Sequence, residues 1–112
     1  MKPFDIFMWQ AAGWPEPHPA VVVSHADRAA RKDPVEVLLC ATKRATRKAE
    51  PHEVVLDQAD GLDWETLCKC DVIYAVPRPD LERKPAKGRV TPERQAQLVR
   101  TILAAHGWGA IL

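Results

Sequence analysis

Up to about residue 90 the chain alternates between short apolar runs and polar, proline-punctuated stretches. Phe4 to Trp9 is apolar and aromatic-rich and predicts a first strand. Gly13-Trp14-Pro15-Glu16-Pro17-His18-Pro19 predicts a loop, because each proline fixes its own φ and restricts the residue before it. Ala20-Val21-Val22-Val23 is a β-branched run suited to a buried strand, and His25 to Pro34 reads as a loop or short helical turn. Val35 to Ala41 predicts a strand with Val35, Val37 and Leu39 on one face. A basic connection follows, then a short strand at Glu53-Val54-Val55-Leu56 and turn chemistry around Asp60-Gly61. Thr66 to Val76 predicts the longest strand, Pro77 to Lys87 a loop, and Gly88-Arg89-Val90 a last short strand.

The period then changes. Thr91-Pro92-Glu93-Arg94 is a helix start, with Thr91 as N-cap and Pro92 at the first helical position. Leu98, Val99, Ile102 and Leu103 recur at helical spacing, and Gly107 is a C-cap candidate. Several short strands followed by one amphipathic helix imply a mainly β fold, a small barrel or strongly bent sheet with the helix packed on it. The 112 residues suffice for one domain, with the barrel over about 4–90 and the helix over about 92–106.

Composition narrows the function classes. The net charge of +1 gives no global attraction to nucleic acid, so such an argument must rest on local clusters. Three cysteines, Cys40, Cys68 and Cys70, are an odd count that fits free thiols and a cytoplasmic setting better than a disulfide scaffold. Cys68-x-Cys70 invites a metal reading, with Cys40 and His52 as further ligands. The Cys-x-x-Cys spacing and a second pair are both missing, so buried thiols are expected and no metal or cofactor. No segment approaches the roughly 20 apolar residues of a membrane span, and Met1 to Gln10 has one lysine and no apolar stretch of the length expected of a signal peptide.

Five segments, in order, resemble MazF/PemK toxins: His18-Pro19-Ala20-Val21-Val22-Val23-Ser24, Val37-Leu38-Leu39-Cys40-Ala41-Thr42, Glu53-Val54-Val55-Leu56, Lys69-Cys70-Asp71 and Gly88-Arg89-Val90-Thr91-Pro92-Glu93. The resemblance spans about residues 4 to 105. It implies an SH3-like barrel of mostly antiparallel strands with a C-terminal helix. It also implies a homodimer that cleaves single-stranded RNA without metal and is silenced by an antitoxin lying across the RNA groove. Two departures stand out. His18 occupies the place of the family's arginine, and the first loop is short and proline-rich.

Cleavage of this kind needs a base for the 2′-hydroxyl, a group that stabilises the phosphorane, and an acid for the departing 5′-oxygen. Lys69 and Asp71, two apart on a strand, project from one polar face, with Cys68, Cys70, Val72 and Tyr74 on the other. By resemblance Asp71 is the base or its orienter, and Lys69 stabilises charge or acts as the acid. A surface ion pair is the plainer alternative. His18 could donate or accept a proton near neutral pH, or be an idle loop residue. The Thr42 hydroxyl could bind phosphate, or simply end its strand. Lys43, Arg44, Arg47 and Lys48 could track a phosphate backbone, with Arg28, Arg31 and Lys32 as a weaker cluster; charge runs are also often only solvated. Trp14, with Trp9, could stack bases or belong to the core or a dimer interface. The alternative function is a nuclease-inactive member of the same fold that binds RNA or a protein, since toxins of this fold also act by protein contact.

Overall fold

The computed structural model describes residues 1–111. Seven strands form one strongly bent antiparallel sheet: β1 (Asp5–Trp9), β2 (His18–Val22), β3 (Val35–Thr42), β4 (Glu53–Leu56), β5 (Thr66–Lys69), β6 (Tyr74–Val76) and β7 (Gly88–Arg89). Their order is β4-β5-β3-β2-β1-β7, with β6 also on β3. Three helices complete the fold: α1 (Ala26–Arg31), α2 (Arg78–Leu81) and α3 (Pro92–Ala105).

The continuous apolar runs of β2 and β3 reflect burial on both faces of the sheet. On one side Ile6, Val21, Leu38, Val54, Leu56 and Cys68 pack beneath Leu98 and Ile102 of α3. On the other, Phe7, Ala20, Val22, Val35, Val37 and Val76 pack with Ala29 of α1 and Leu81 of α2. The apolar stripe expected on α3 is narrower than its sequence: Leu98 is buried, but Val99 is exposed. Pro92 opens the helix as expected. Thr91 sits at the N-cap without a side-chain cap bond; its N–H instead donates to Asp60 Oδ1 at 3.0 Å. Gly107 follows the helix in the left-handed region, at φ 72°.

Three expectations need correction. The loop expected over 77–87 contains α2, held because the Arg78 guanidinium donates to the carbonyls of Arg28, Ala29 and Lys32. His18 is not in the loop but is the first residue of β2, paired with Trp9. The strand expected over Thr66–Val76 is broken. Val37 pairs with Tyr74 and Cys40 with Cys68, so six chain steps oppose three. The surplus residues bulge off β3. There the Cys70 N–H donates to His52 O at 2.9 Å, and Cys70 O meets His106 Nε2 at 3.0 Å. Asp71 therefore lies beyond the end of β5 rather than on a strand face with Lys69. Val72 and Tyr74, expected opposite that face with the buried cysteines, are exposed.

Candidate active site

Antiparallel pairing brings the start of β2, the end of β3 and the start of β5 side by side, with Thr42 opposite Thr66. At this end of the sheet lies a cavity of about 270 Å³. His18 and Thr42 both line it, together with Glu16, Asp63, Trp64 and Lys87. A second cavity, of about 180 Å³, adjoins it through His18 and is also lined by Trp14, Lys69 and Tyr74. His18 is thus shared by both.

The His18 ring is held by an aromatic ladder. It meets Trp14 edge-on at 5.0 Å between centroids, and Trp14 meets Trp9 at 5.1 Å. Gln10 closes the short first loop by donating to Trp14 O at 2.7 Å. Trp14 therefore packs against His18 while lining the second cavity. Thr42 is exposed at the end of β3, and its Oγ1 accepts a hydrogen bond from the Trp64 indole N–H at 3.3 Å. Lys87 Nζ donates to both Asp63 carboxylate oxygens, at 3.0 and 3.1 Å.

The remaining sequence candidates lie elsewhere. Asp71 lines neither cavity; its carboxylate faces His52 Nε2 at 3.9 Å. None of Lys43, Arg44, Arg47 and Lys48 lines either cavity. Arg47 is committed to the buried Glu53 carboxylate at 3.0 Å and to Glu50 at 3.9 Å. Burial pushes the Glu53 carboxyl up, but the Glu50 N–H and Arg47 outweigh it and hold the group below the usual carboxylate range. Ligand atoms of Glu50, His52 and Glu53 lie within 4.8 Å of one another, but Glu53 is already taken by Arg47. Arg28 of the second basic cluster is bound to Glu36. The three thiols are free and buried. Hydrogen bonding with Cys40, then burial, pushes Cys68 up, and hydrogen bonding with Cys68, then burial, does the same to Cys70. These thiols are packing groups rather than nucleophiles.

Sequence reasoning missed Glu16, Asp63, Trp64 and Lys87. Lys87 reaches Asp63 because two glycines pass back to back. A Cβ on Gly88 would overlap Asp60 O and lie 2.9 Å from Gly61 Cα, while Gly61 itself holds φ +92°. The Asp60-Gly61 and Lys87-Gly88 pairs are visible in the sequence, but their contact is not.

No protein-family model and no curated protein matches the sequence. Solved structures do match the fold. The Mycobacterium tuberculosis toxin MazF-mt6 is 19% identical over 92% of this chain and 96% of that chain, with TM-score 0.75. An endoribonuclease from mycobacterial species in complex with its cognate antitoxin is 20% identical, covering 96% and 95%, with TM-score 0.79. A further mycobacterial endoribonuclease is 19% identical, covering 96% and 91%, with TM-score 0.75. The bent antiparallel sheet with its C-terminal helix is the fold of the MazF toxins.

Proposed function

We propose that the chain is a metal-independent endoribonuclease toxin that cuts single-stranded RNA. The observation that carries this reading is the meeting of His18 and Thr42 at one cavity on a fold shared with endoribonucleases. In the reaction, neutral His18 takes the 2′-hydroxyl proton and the 2′-oxygen attacks phosphorus. The bond to the 5′-oxygen breaks, leaving a 2′,3′-cyclic phosphate. Thr42 donates to a non-bridging oxygen, and Lys69, across His18, stabilises charge and protonates the 5′-oxygen. Asp71 is the sequence candidate for the base. In this mechanism His18 replaces it, because the Asp71 carboxylate faces His52, outside both cavities.

The partners follow from the same reading. A neighbour of the same fold is seen with its cognate antitoxin, which supports an antitoxin here. Exposed Val72, Ile73, Tyr74, Val99 and Trp108 give apolar surface for a homodimer. Among the described residues no helix is long and apolar enough to cross a membrane. Three free thiols suit the reducing cytoplasm.

The test is a long single-stranded RNA incubated in EDTA with wild type, His18→Ala, Thr42→Val and Asp71→Ala. Wild type should give discrete fragments with cyclic-phosphate ends. His18→Ala should lose at least about 100-fold in rate, the lower range for a positioned acid or base, while Asp71→Ala stays within a few-fold. Intact RNA from folded wild type would move the assignment to a binding protein of the same fold. Loss of activity in Asp71→Ala with retention in His18→Ala would return the base to Asp71.

A further inference from the structure

Trp64 is 58% exposed, high for an aromatic residue. It nevertheless stands in a fixed frame. Its carbonyl accepts from the Thr66 hydroxyl at 3.1 Å. Glu65 O accepts the Lys43 N–H at 3.1 Å, and Asp63 is clamped by Lys87. The indole N–H reaches across 22 residues to Thr42 Oγ1. Among the described residues no aromatic ring packs on Trp64, whereas Trp9, Trp14 and Trp108 each have a ring partner. A large aromatic ring thus lines the cavity that contains His18 and Thr42, with more than half of its surface exposed.

Both ends of the side chain have chemical consequences. A threonine hydroxyl has one proton and two acceptor sites. Accepting from the indole N–H occupies one acceptor site and leaves the hydroxyl proton available to a phosphate oxygen. The exposed ring offers the stacking surface by which proteins hold unpaired bases. We propose that Trp64 is a positioning and substrate-reading residue: it orients the Thr42 hydroxyl and stacks a base of single-stranded RNA next to the scissile phosphate. The proposal rests on the endoribonuclease reading above and adds to it a contact that sequence reasoning did not identify.

The two roles separate by substitution. Trp64→Phe keeps an aromatic face and removes the N–H, Trp64→Leu keeps apolar bulk without the face, and Trp64→Ala removes both. Steady-state cleavage of single-stranded RNA gives kcat and KM for each, alone and combined with Thr42→Val. A fully 2′-O-methylated RNA, which lacks the attacking hydroxyl, reports binding by fluorescence anisotropy. Trp64→Phe should lower kcat about fivefold or more with KM within twofold, and should cost nothing further in the Thr42→Val background. Trp64→Leu and Trp64→Ala should also weaken binding of the methylated RNA roughly tenfold, the scale of one lost base stack. An equal loss from Trp64→Phe with and without Thr42 would overturn the orienting role. Unchanged binding by the Leu and Ala variants would overturn the stacking role. If wild type binds the RNA without cutting it, the endoribonuclease reading falls and the binding series alone decides on stacking. If wild type neither binds nor cuts, both readings fall.

Discussion

Arg94 joins the C-terminal helix to the segment that carries the site. Its Nη1 donates to Asp57 Oδ1 and Asp60 Oδ2, both at 2.6 Å, and its Nη2 to Asp57 Oδ2 at 3.1 Å. Replacing it with alanine removes all three bonds. The Arg94 and Asp57 side chains are about a quarter exposed, so their pair approaches the surface value, about 0.5–1 kcal/mol. Asp60 differs, because its side chain is fully buried. Removing one partner of a fully buried pair costs about 3–5 kcal/mol. Here the cost is smaller, because Asp60 still accepts from the N–H groups of Asp57 and Thr91, each at 3.0 Å. Together these put Arg94→Ala at about 3 kcal/mol, or roughly 10–20 °C in Tm for a domain of this size.

Urea and thermal unfolding followed by circular dichroism measure this loss, with Arg94→Lys as the charge-conserving control. Lysine retains a cation but not the two-nitrogen fork, so it should recover only part of the stability. The acid limb provides a second reading. Hydrogen bonds from Arg94 hold the Asp57 carboxyl below its usual range. Its folded value is thus lower than its unfolded one. The stability it contributes is complete above the unfolded value and is lost as pH falls through the folded value. The gap between wild type and Arg94→Ala should therefore narrow on acidification. Because Asp60 leads directly into Gly61–Glu65, the proposed endoribonuclease function predicts that the variant also loses RNA cleavage beyond its unfolded fraction. A stability change under 1 kcal/mol, or a gap that widens in acid, would refute the reasoning.

Gly88→Ala should prevent stable folding or cost several kcal/mol, since its Cβ would overlap Asp60 O on rigid backbone; a soluble variant with wild-type Tm would contradict that contact. Glu36 accepts from Arg28 and Ser24, and its pKa is lowered, chiefly by the Arg28 hydrogen bond. Its stabilising contribution is therefore present above the usual carboxylate range and fades as pH drops through the folded value. Glu36→Gln should be destabilised at neutral pH and show a shallower acid limb, measured by Tm from pH 7 down to 3.

The local rules read well wherever burial and chain chemistry agree. The Val-rich runs of β2 and β3, the Glu53–Leu56 strand and the Thr91-Pro92 helix start lie within a residue or two of expectation, because each is favoured by its own side chains. The 66–76 stretch misled because exposure keeps alternating from Cys68 to Asp71 even after the strand has ended. The bulge is decided by partners far along the chain, His52 O and the His106 ring on the Cys70 peptide. The one local signal against a single strand was the unbroken apolar run Val72-Ile73-Tyr74, where alternation fails.

The same distinction explains which part of the candidate site was legible. His18 and Thr42 could be found because each lies in a contiguous segment resembling a known family. Trp64 and Lys87 could not, since neither lies within a motif and both arrive through tertiary contacts: an indole bonded across 22 residues, and a glycine pair that lets two turns touch. Yet these residues share a positional property. His18 begins β2, Thr42 ends β3, Trp64 precedes β5 and Lys87 precedes β7. In an antiparallel sheet the end of one strand lies beside the start of its neighbour, so polar and aromatic residues just at or outside those boundaries collect along one rim. Lys69 fits the same rule, since it ends β5 and lines a cavity with His18, whereas Asp71, expected beside it on one strand face, is displaced by the bulge. Once pairing order is known, the candidate groups of this chain are therefore better sought at strand ends than by alternation within strands.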